Sequence, residues 1–256
     1  RGHHIFAAPG LTAGPTLLDA LSRLARHWAP GSTPDAQAYA AYADALNDAY
    51  THRLNTMGDA DETRAPSCTT HMSAVDADGN VVALTQTLLS IFGSKVMLPD
   101  TGLMMNNGVM WFDPRPGQPN SMAPGKRPIS NMCPTIVARR DGARFALGAS
   151  GGRRIMPAVY QLLSYITDFG MDLEAAMHQG RIDVSTTPAI SVDRALGEQV
   201  LQQVSASHNA EAATHGVFPA LFACPNTVSI DAQGTLSGAA FVPSPWAHAA
   251  IAEDHL

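Results

Sequence analysis

Three segments of this chain share one pattern: SAVDADGNVVAL (73–84), TIVARRDGARFAL (135–147) and TVSIDAQGTLSGA (227–239). Each carries apolar or β-branched residues on both sides of an Asp-Gly or Gln-Gly pair, the short-range signature of a β-hairpin. Hairpins join antiparallel neighbours, so three of them commit the chain to mainly antiparallel sheet. Helical patterns fill the intervals. Pro15 opens a run in which Leu17, Leu18, Leu21, Leu24, Ala25 and Trp28 recur at helical spacing. Thr33-Pro34-Asp35 reads as a second helix start, with Thr33 as cap and Pro34 in the first turn; Tyr39, Tyr42, Ala43, Leu46 and Tyr50 share that helix's apolar face. Ile155, Met156, Val159, Leu162 and Ile166 predict a helix over 153–169 ended by Gly170, and shorter helices follow near 172–179 and 195–206. A long Pro/Gly/Asn-rich loop spans about 111–128. Hairpins with segregated helices predict an α+β architecture, not a parallel doubly wound sheet.

Composition narrows the function. The chain has 256 residues, 45% of them hydrophobic, enough for a sizeable core. Its net charge is −6 and it has no basic run, which excludes nucleic acid as an expected partner. No apolar run approaches the ~20 residues that span a bilayer. Cys68, Cys133 and Cys224 are odd in number and widely spaced, with no CxxC pair, so neither a zinc site nor a disulfide framework is expected. His3 and His4 read as a solvated surface pair. No metal and no cofactor is expected. The chain opens on Arg1 rather than Met, and RGHHIFAAPG reads as the middle of a longer protein; any targeting segment would lie upstream and the compartment is unknown.

Two candidate nucleophiles stand out. GASGG (148–152) fits G-x-S-x-G with a strand before it and a helix after it, which would make Ser150 the attacking group on a nucleophile elbow. That elbow belongs to parallel sheets, whereas the strand before Ser150 is the second arm of a hairpin. The same residues have a second use: Gly151 and Gly152 open a helix and present backbone N–H groups, which suits a developing oxyanion. The other candidate is the pair Thr69-Thr70. A tight turn at Asp78-Gly79 sets Thr87 opposite, or one residue from, these two threonines. Paired hydroxyls across two strands contribute ~0.2–1 kcal/mol as structure alone. In the functional reading Thr87 orients a reactive threonine. A threonine hydroxyl needs a base, and one solution is its own α-amino group, of reference pKa ~7.7–8.0, freed by chain cleavage before it. NTMGDADETRAPSC (55–68) is polar, turn-rich and acidic, and supplies a cleavable linker at that place.

Five motifs, in order, then carry a resemblance: TTHMSAVDADGNVVALTQT (69–87), FGSKV (92–96), Asn106-Asn107, PGKRPISNMCPTIV (124–137) and GASGGRRI (148–155). The pattern resembles the γ-glutamyltranspeptidase family of N-terminal-nucleophile hydrolases, across essentially all of 69–256. The resemblance implies a four-layer αββα sandwich with mainly antiparallel sheets, here without its N-terminal half. It also implies two regions: 1–68 as the end of a large subunit and 69–256 as the small catalytic subunit. Autocatalytic cleavage would fall between Cys68 and Thr69, leaving a heterodimer or heterotetramer. Thr69 would be the nucleophile, Thr87 its hydroxyl partner, Gly151 and Gly152 the oxyanion hole, and Ser130 a contact to the α-carboxylate of a γ-glutamyl group. The substrate would be a small amide, and the reaction acyl transfer through a threonyl ester to water or an amine. Three positions depart from the pattern. Leu89 stands where relatives carry Asn, Asn131 replaces the second serine of a Ser-Ser pair, and Trp111 stands where an Asp pairs with the substrate's α-amino group. Losing that charged contact would cost ~1.5–3 kcal/mol. Leu89 and Trp111 therefore favour a less zwitterionic substrate, as in acylases or enzymes of specialised metabolism. A serine hydrolase using Ser150 and a non-catalytic homologue that never matures are the other readings.

Overall fold

The computed structural model describes residues 2–57, 67–186, 188–216, 221–241 and 243–251. Strand β1 (His3–Ala7) leads into helices α1 (Gly14–His27) and α2 (Ala36–Thr56). Two hairpins follow: β2 (Ser67–Val75) with β3 (Val81–Ser90), and β4 (Thr135–Arg139) with β5 (Arg144–Ser150). Then come α3 (Ile155–Thr167), α4 (Leu173–His178), β6 (Ile182–Asp183), β7 (Ile190–Asp193), α5 (Glu198–Ser205) and β8 (Ala210–Ala213). The last hairpin is β9 (Cys224–Ile230) with β10 (Leu236–Ala240).

The central sheet runs β1-β4-β5-β9-β10, antiparallel at every pairing. Strand β5 is buried on both faces. Phe145, Leu147 and Ala149 join the helical core, while Ala146 and Gly148 face the separate β2–β3 hairpin. Helix, five-stranded sheet and two-stranded sheet thus form three consecutive layers of the expected sandwich. The outer face of β2–β3 stays open: Met72, Val82 and Leu84 are exposed there.

All three predicted hairpins form. The tyrosine stripe of α2 is core, as predicted, and its buried hydroxyls are paired, Tyr39 with Tyr165 at 3.0 Å and Tyr42 with Ser164 at 2.8 Å. Helix α3 exceeds its predicted apolar face, because every residue from Ile155 to Ile166 is buried between the sheet and the other helices.

Several expectations shift. The second helix starts at Ala36, not at Pro34, because the Asp35 carboxylate accepts the Ala38 N–H and takes the cap from Thr33. The histidine pair is only partly solvated. His3 and His4 lie in β1, whose alternation half-buries His3 and exposes His4. The linker begins later than 55, since α2 runs to Thr56; residues 58–66 lie outside the described residues. A small sheet, β6-β7-β8, has no hairpin signal because β7 and β8 are parallel and joined through α5.

The hairpin β2–β3 is held on β5 by one close contact. A Cβ on Gly148 would fall 2.2–2.5 Å from the ring atoms of buried His71. Only glycine lets the two sheets approach here. Gly148→Ala is expected to destabilise the fold by about 3 kcal/mol or more, since neither the ring nor the strand can yield; the denaturant midpoint measures it, and an unchanged midpoint would show that the sheets can part.

Candidate active site

Two contacts orient β2 over β5. The turn between β2 and β3 meets the start of β5, where Arg144 Nη1 donates to Gly79 O at 2.6 Å. Farther along, His71 lies on Gly148. The strands therefore run in opposite directions, and Thr69 lies at the end of the sandwich where β5 finishes at Ser150. The segment before β4 reaches the same end, because Thr135 pairs with Leu147. Thr69, Thr87, the Gly151–Gly152 turn and Ser130 are thus gathered at one edge.

Thr69 pairs with Thr87, within the range of registers the turn allowed, and its Oγ donates to Thr87 Oγ at 3.0 Å. The ladder shifts between Cys68 and Thr69, so Cys68 pairs with Leu89 and Leu88 is the extra residue of a bulge. Such bulges re-aim side chains and interrupt pairing. The Leu89 backbone follows the bulge into the left-handed region at φ 70°, and its N–H donates to Thr87 Oγ at 2.9 Å. Leu89 thus serves Thr87 through its backbone. Thr70 points to the exposed face.

After β5, Gly151 has φ 141° and Gly152 has φ 63°. A Cβ on Gly151 would lie 2.9 Å from both Cα and Cβ of Ala223. The turn's hydrogen bonds run from Arg154 N–H to Gly151 O (3.3 Å) and from Ile155 N–H to Gly152 O, using the glycine carbonyls and not their N–H groups. Helix α3 continues behind them and adds the positive end of its dipole. Ser150 pairs with Cys224 in the antiparallel ladder, and its hydroxyl contacts that thiol. No parallel strand–turn–helix elbow forms around it.

Ser130 and Asn131 are buried. Trp111 sits in a 3-10 turn (Gly108–Trp111), and its Nε1–H is buried without a partner among the described residues. Asn120, also buried, joins the two segments: its Nδ2 donates to Trp111 O at 2.6 Å and its Oδ1 accepts from Ile129 N–H at 3.1 Å. Asn107 ties the same loop to β3, accepting from Ser90 N–H and donating to Ser90 Oγ. Asn107 lies within a recognised motif. Nothing in the sequence marks Asn120, because an asparagine in a Pro/Gly-rich loop looks like any turn residue.

His71 is near Thr69 but is not a free base. Its ring nitrogens are engaged by Thr85 Oγ1 (2.7 Å) and Ser73 Oγ (2.9 Å). Burial lowers its pKa from 6.5 to about 4, so it stays neutral near pH 7. Burial pushes the Cys133 thiol up to about 12. Among the described residues no His/Cys/Asp/Glu group could hold a metal ion, and no helix is long and apolar enough to cross a membrane.

The sequence model of the family described as gamma-glutamyltranspeptidase matches residues 34–218. The glutathione hydrolase proenzyme of Bacillus subtilis (strain 168) is 34% identical over 173 residues, 67% of this chain and 29% of that protein. The acylase ACY 1 proenzyme of Pseudomonas sp. (strain SE83) is 35% identical over 172 residues, 67% of this chain and 30% of that protein. The chain therefore spans less than a third of the length of these relatives. Among solved structures, cephalosporin acylase from Bacillus halodurans shares the fold with a TM-score of 0.83 at 20% identity, over 100% of this chain and 52% of the other. A highly active tryptophan-to-aspartate mutant of the gamma-glutamyltranspeptidase from Pseudomonas nitroreducens matches with a TM-score of 0.59 at 26% identity, over 72% of this chain and 100% of the other.

The neutral His71 has a consequence for stability. Its folded pKa lies below the ordinary value, so the unfolded chain takes up the proton first as pH falls. The stabilisation is complete above about pH 6.5 and is lost as pH falls toward 4, by about 3 kcal/mol. His215, also lowered to about 4, titrates in the same window, so the difference between wild type and His71→Gln isolates His71. Denaturant midpoints from pH 7 to 4 should fall less steeply in His71→Gln; equal slopes would assign the loss to other groups.

Proposed function

Because this chain belongs to the gamma-glutamyltranspeptidase family, we propose that it carries the catalytic part of an N-terminal threonine hydrolase or acyltransferase. Residues 69–256 form the catalytic region and residues 1–68 the end of the preceding one. The observation that carries this reading is the Thr69 Oγ–Thr87 Oγ hydrogen bond of 3.0 Å, placed directly after a break in the ladder between Cys68 and Thr69. Scission at that break converts an amide nitrogen, which cannot act as a base, into an amine that can.

In the mature site the Thr69 amine takes the proton of Thr69 Oγ as the oxygen attacks the acyl carbon of an amide. Thr87 keeps the hydroxyl aimed. Gly151 and Gly152 N–H groups receive the charge that develops on the carbonyl oxygen. The ammonium returns its proton to the leaving amine, and a threonyl ester remains. Water or a second amine gives a proton to the Thr69 amine as it attacks that ester; the bond from the acyl carbon to Thr69 Oγ breaks, Oγ takes the proton, and the acyl group leaves on the nucleophile. Ser130, with Asn131 beside it, faces the carboxylate end of the acyl group.

The acyl group is the open choice, and Trp111 favours one without an α-ammonium. An indole N–H is a donor and cannot replace a carboxylate that accepts from an ammonium. A γ-glutamyl amide such as glutathione is then a weak donor, and an acylase-type amide lacking the amine is the better one. The acylase among the relatives and the tryptophan-to-aspartate mutant of the Pseudomonas nitroreducens enzyme support this reading. The exposed apolar face of Met72, Val82 and Leu84 supports a further part of the precursor as cover for β2–β3. The two pieces would stay together as a heterodimer, or pair into a heterotetramer.

Two experiments on the full-length protein test the assignment. Thr69→Ala is expected to abolish both activity and scission between Cys68 and Thr69, read by intact mass, whereas Ser150→Ala keeps both. Activity that survives Thr69→Ala and is lost in Ser150→Ala would move the chemistry to the serine; an uncut, inactive wild type would make the chain a non-catalytic homologue. Trp111→Asp is expected to raise kcat/KM for a γ-glutamyl anilide by about 10-fold or more, from a restored charge-assisted contact. No gain would place Trp111 away from the ammonium position.

A further inference from the structure

One helix holds both walls of the site. On α2, Tyr50 and Arg53 lie three residues apart and both are buried. The Tyr50 hydroxyl donates to Arg153 O at 2.7 Å, in the turn directly after Gly151 and Gly152. Arg53 Nη2 donates to Ser130 O at 2.9 Å, and its Nη1 donates to Thr12 O (3.2 Å) and Thr16 Oγ1 (3.1 Å). Both side chains grip backbone carbonyls of the loops that carry the proposed site groups.

Arg53 is an expensive way to fill this space. Its guanidinium carries a fixed positive charge, is 1% exposed, and pairs with no carboxylate among the described residues. Taking such a charge out of water against neutral acceptors alone is unfavourable, and an apolar side chain would pack there at less cost. A retained cation beneath Ser130 gives that segment a positive potential, undiluted by a counter-ion. An anionic group held at the Ser130 hydroxyl would feel it through a low-dielectric layer.

We propose that Tyr50 and Arg53 are positioning residues with separable duties. Tyr50 sets the turn that presents the Gly151 and Gly152 N–H groups. Arg53 sets the Ser130 backbone and biases the site toward an acyl donor that ends in a carboxylate. The inference rests on the assignment of Thr69, the glycine turn and Ser130 made above. It adds that the segment on the far side of the Cys68–Thr69 bond keeps hold of both walls after scission.

The test uses the full-length protein and two isosteric donors: a glutaryl anilide, which ends in a carboxylate, and the anilide of its terminal carboxamide, which is neutral. Tyr50→Phe is expected to lower kcat by about tenfold for both donors while KM stays within about twofold, the signature of a contact felt mainly in the transition state. Arg53→Met is expected to raise KM for the carboxylate donor by about tenfold and for the carboxamide donor by only about twofold, because both lose the hold on the Ser130 backbone and only the first loses the charge. Arg53→Lys, which keeps the charge without the fork, should recover much of that preference. Thermal unfolding checks that each variant is folded. A Tyr50→Phe enzyme with unchanged kcat, or an Arg53→Met enzyme that weakens both donors alike, would reduce these residues to ordinary packing. Should Arg53→Met fail to fold, a lost carboxylate preference in Arg53→Lys would show that the fork rather than the charge matters and would overturn the electrostatic part. A wild type that acylates Thr69 with neither donor, read by mass, overturns the parent assignment and this inference with it.

Discussion

The contact between His71 and Gly148 is the constraint on which the site depends. A two-stranded hairpin cannot hold itself in water and must lie on something. Here it lies on β5 at a distance that leaves no room for a single carbon atom. That contact, with the Arg144–Gly79 bond, orients β2 along β5. It therefore decides that Thr69 lies beside the end of β5 and not at the far side of the sheet. The Asn226 Nδ2 bond to His71 O at 2.7 Å fixes the same segment from β9. The buried imidazole is neutral and fully engaged by two hydroxyls, so it adds rigidity without adding a charge.

Around that anchor, polar groups are used sparingly and mostly on backbone. Thr87 Oγ receives both the Thr69 hydroxyl and the Leu89 N–H, which fixes the direction of its remaining capacity. Asn120 spans two loop segments with one amide. Tyr50 and Arg53 reach across from α2. A site assembled from strand ends and loops needs such cross-links, because its backbone lacks the ladder that would hold it. Buried Asp183 continues the scheme: burial raises its pKa, while Ser185, Thr186 and Arg154 satisfy its carboxylate just beyond the glycine turn.

What was legible in the sequence was local. The Asp78-Gly79 turn narrowed the register of β2 and β3 to within a residue, and Thr69 faces Thr87. The apolar face of α2 was readable from its period, as was the antiparallel setting of Ser150 that removes the nucleophile elbow. The helix start at Ala36 was misplaced by the attraction of a Thr-Pro pair, although Asp35 was present to take the cap. Strand β1 pairs with a segment far away in the chain, β7 pairs in parallel with β8 across a helix, and β6 is only two residues long, so none of them carries a hairpin signal. The five ordered motifs identified the family, and the match over residues 34–218 agrees.

The sequence by itself determined the hairpins, the helix faces and, to within one residue, the opposition of Thr69 and Thr87, because turn length and side-chain period act over a few residues. Only the tertiary structure decided that Tyr50, Arg53 and Asn120 belong to the same edge as Thr69 and Ser130, and that Gly148 must be glycine. The reason is physical: their partners are backbone carbonyls, an amide and a ring face contributed by distant segments. A carbonyl is present at every residue, so nothing in the sequence marks which one a buried side chain will find.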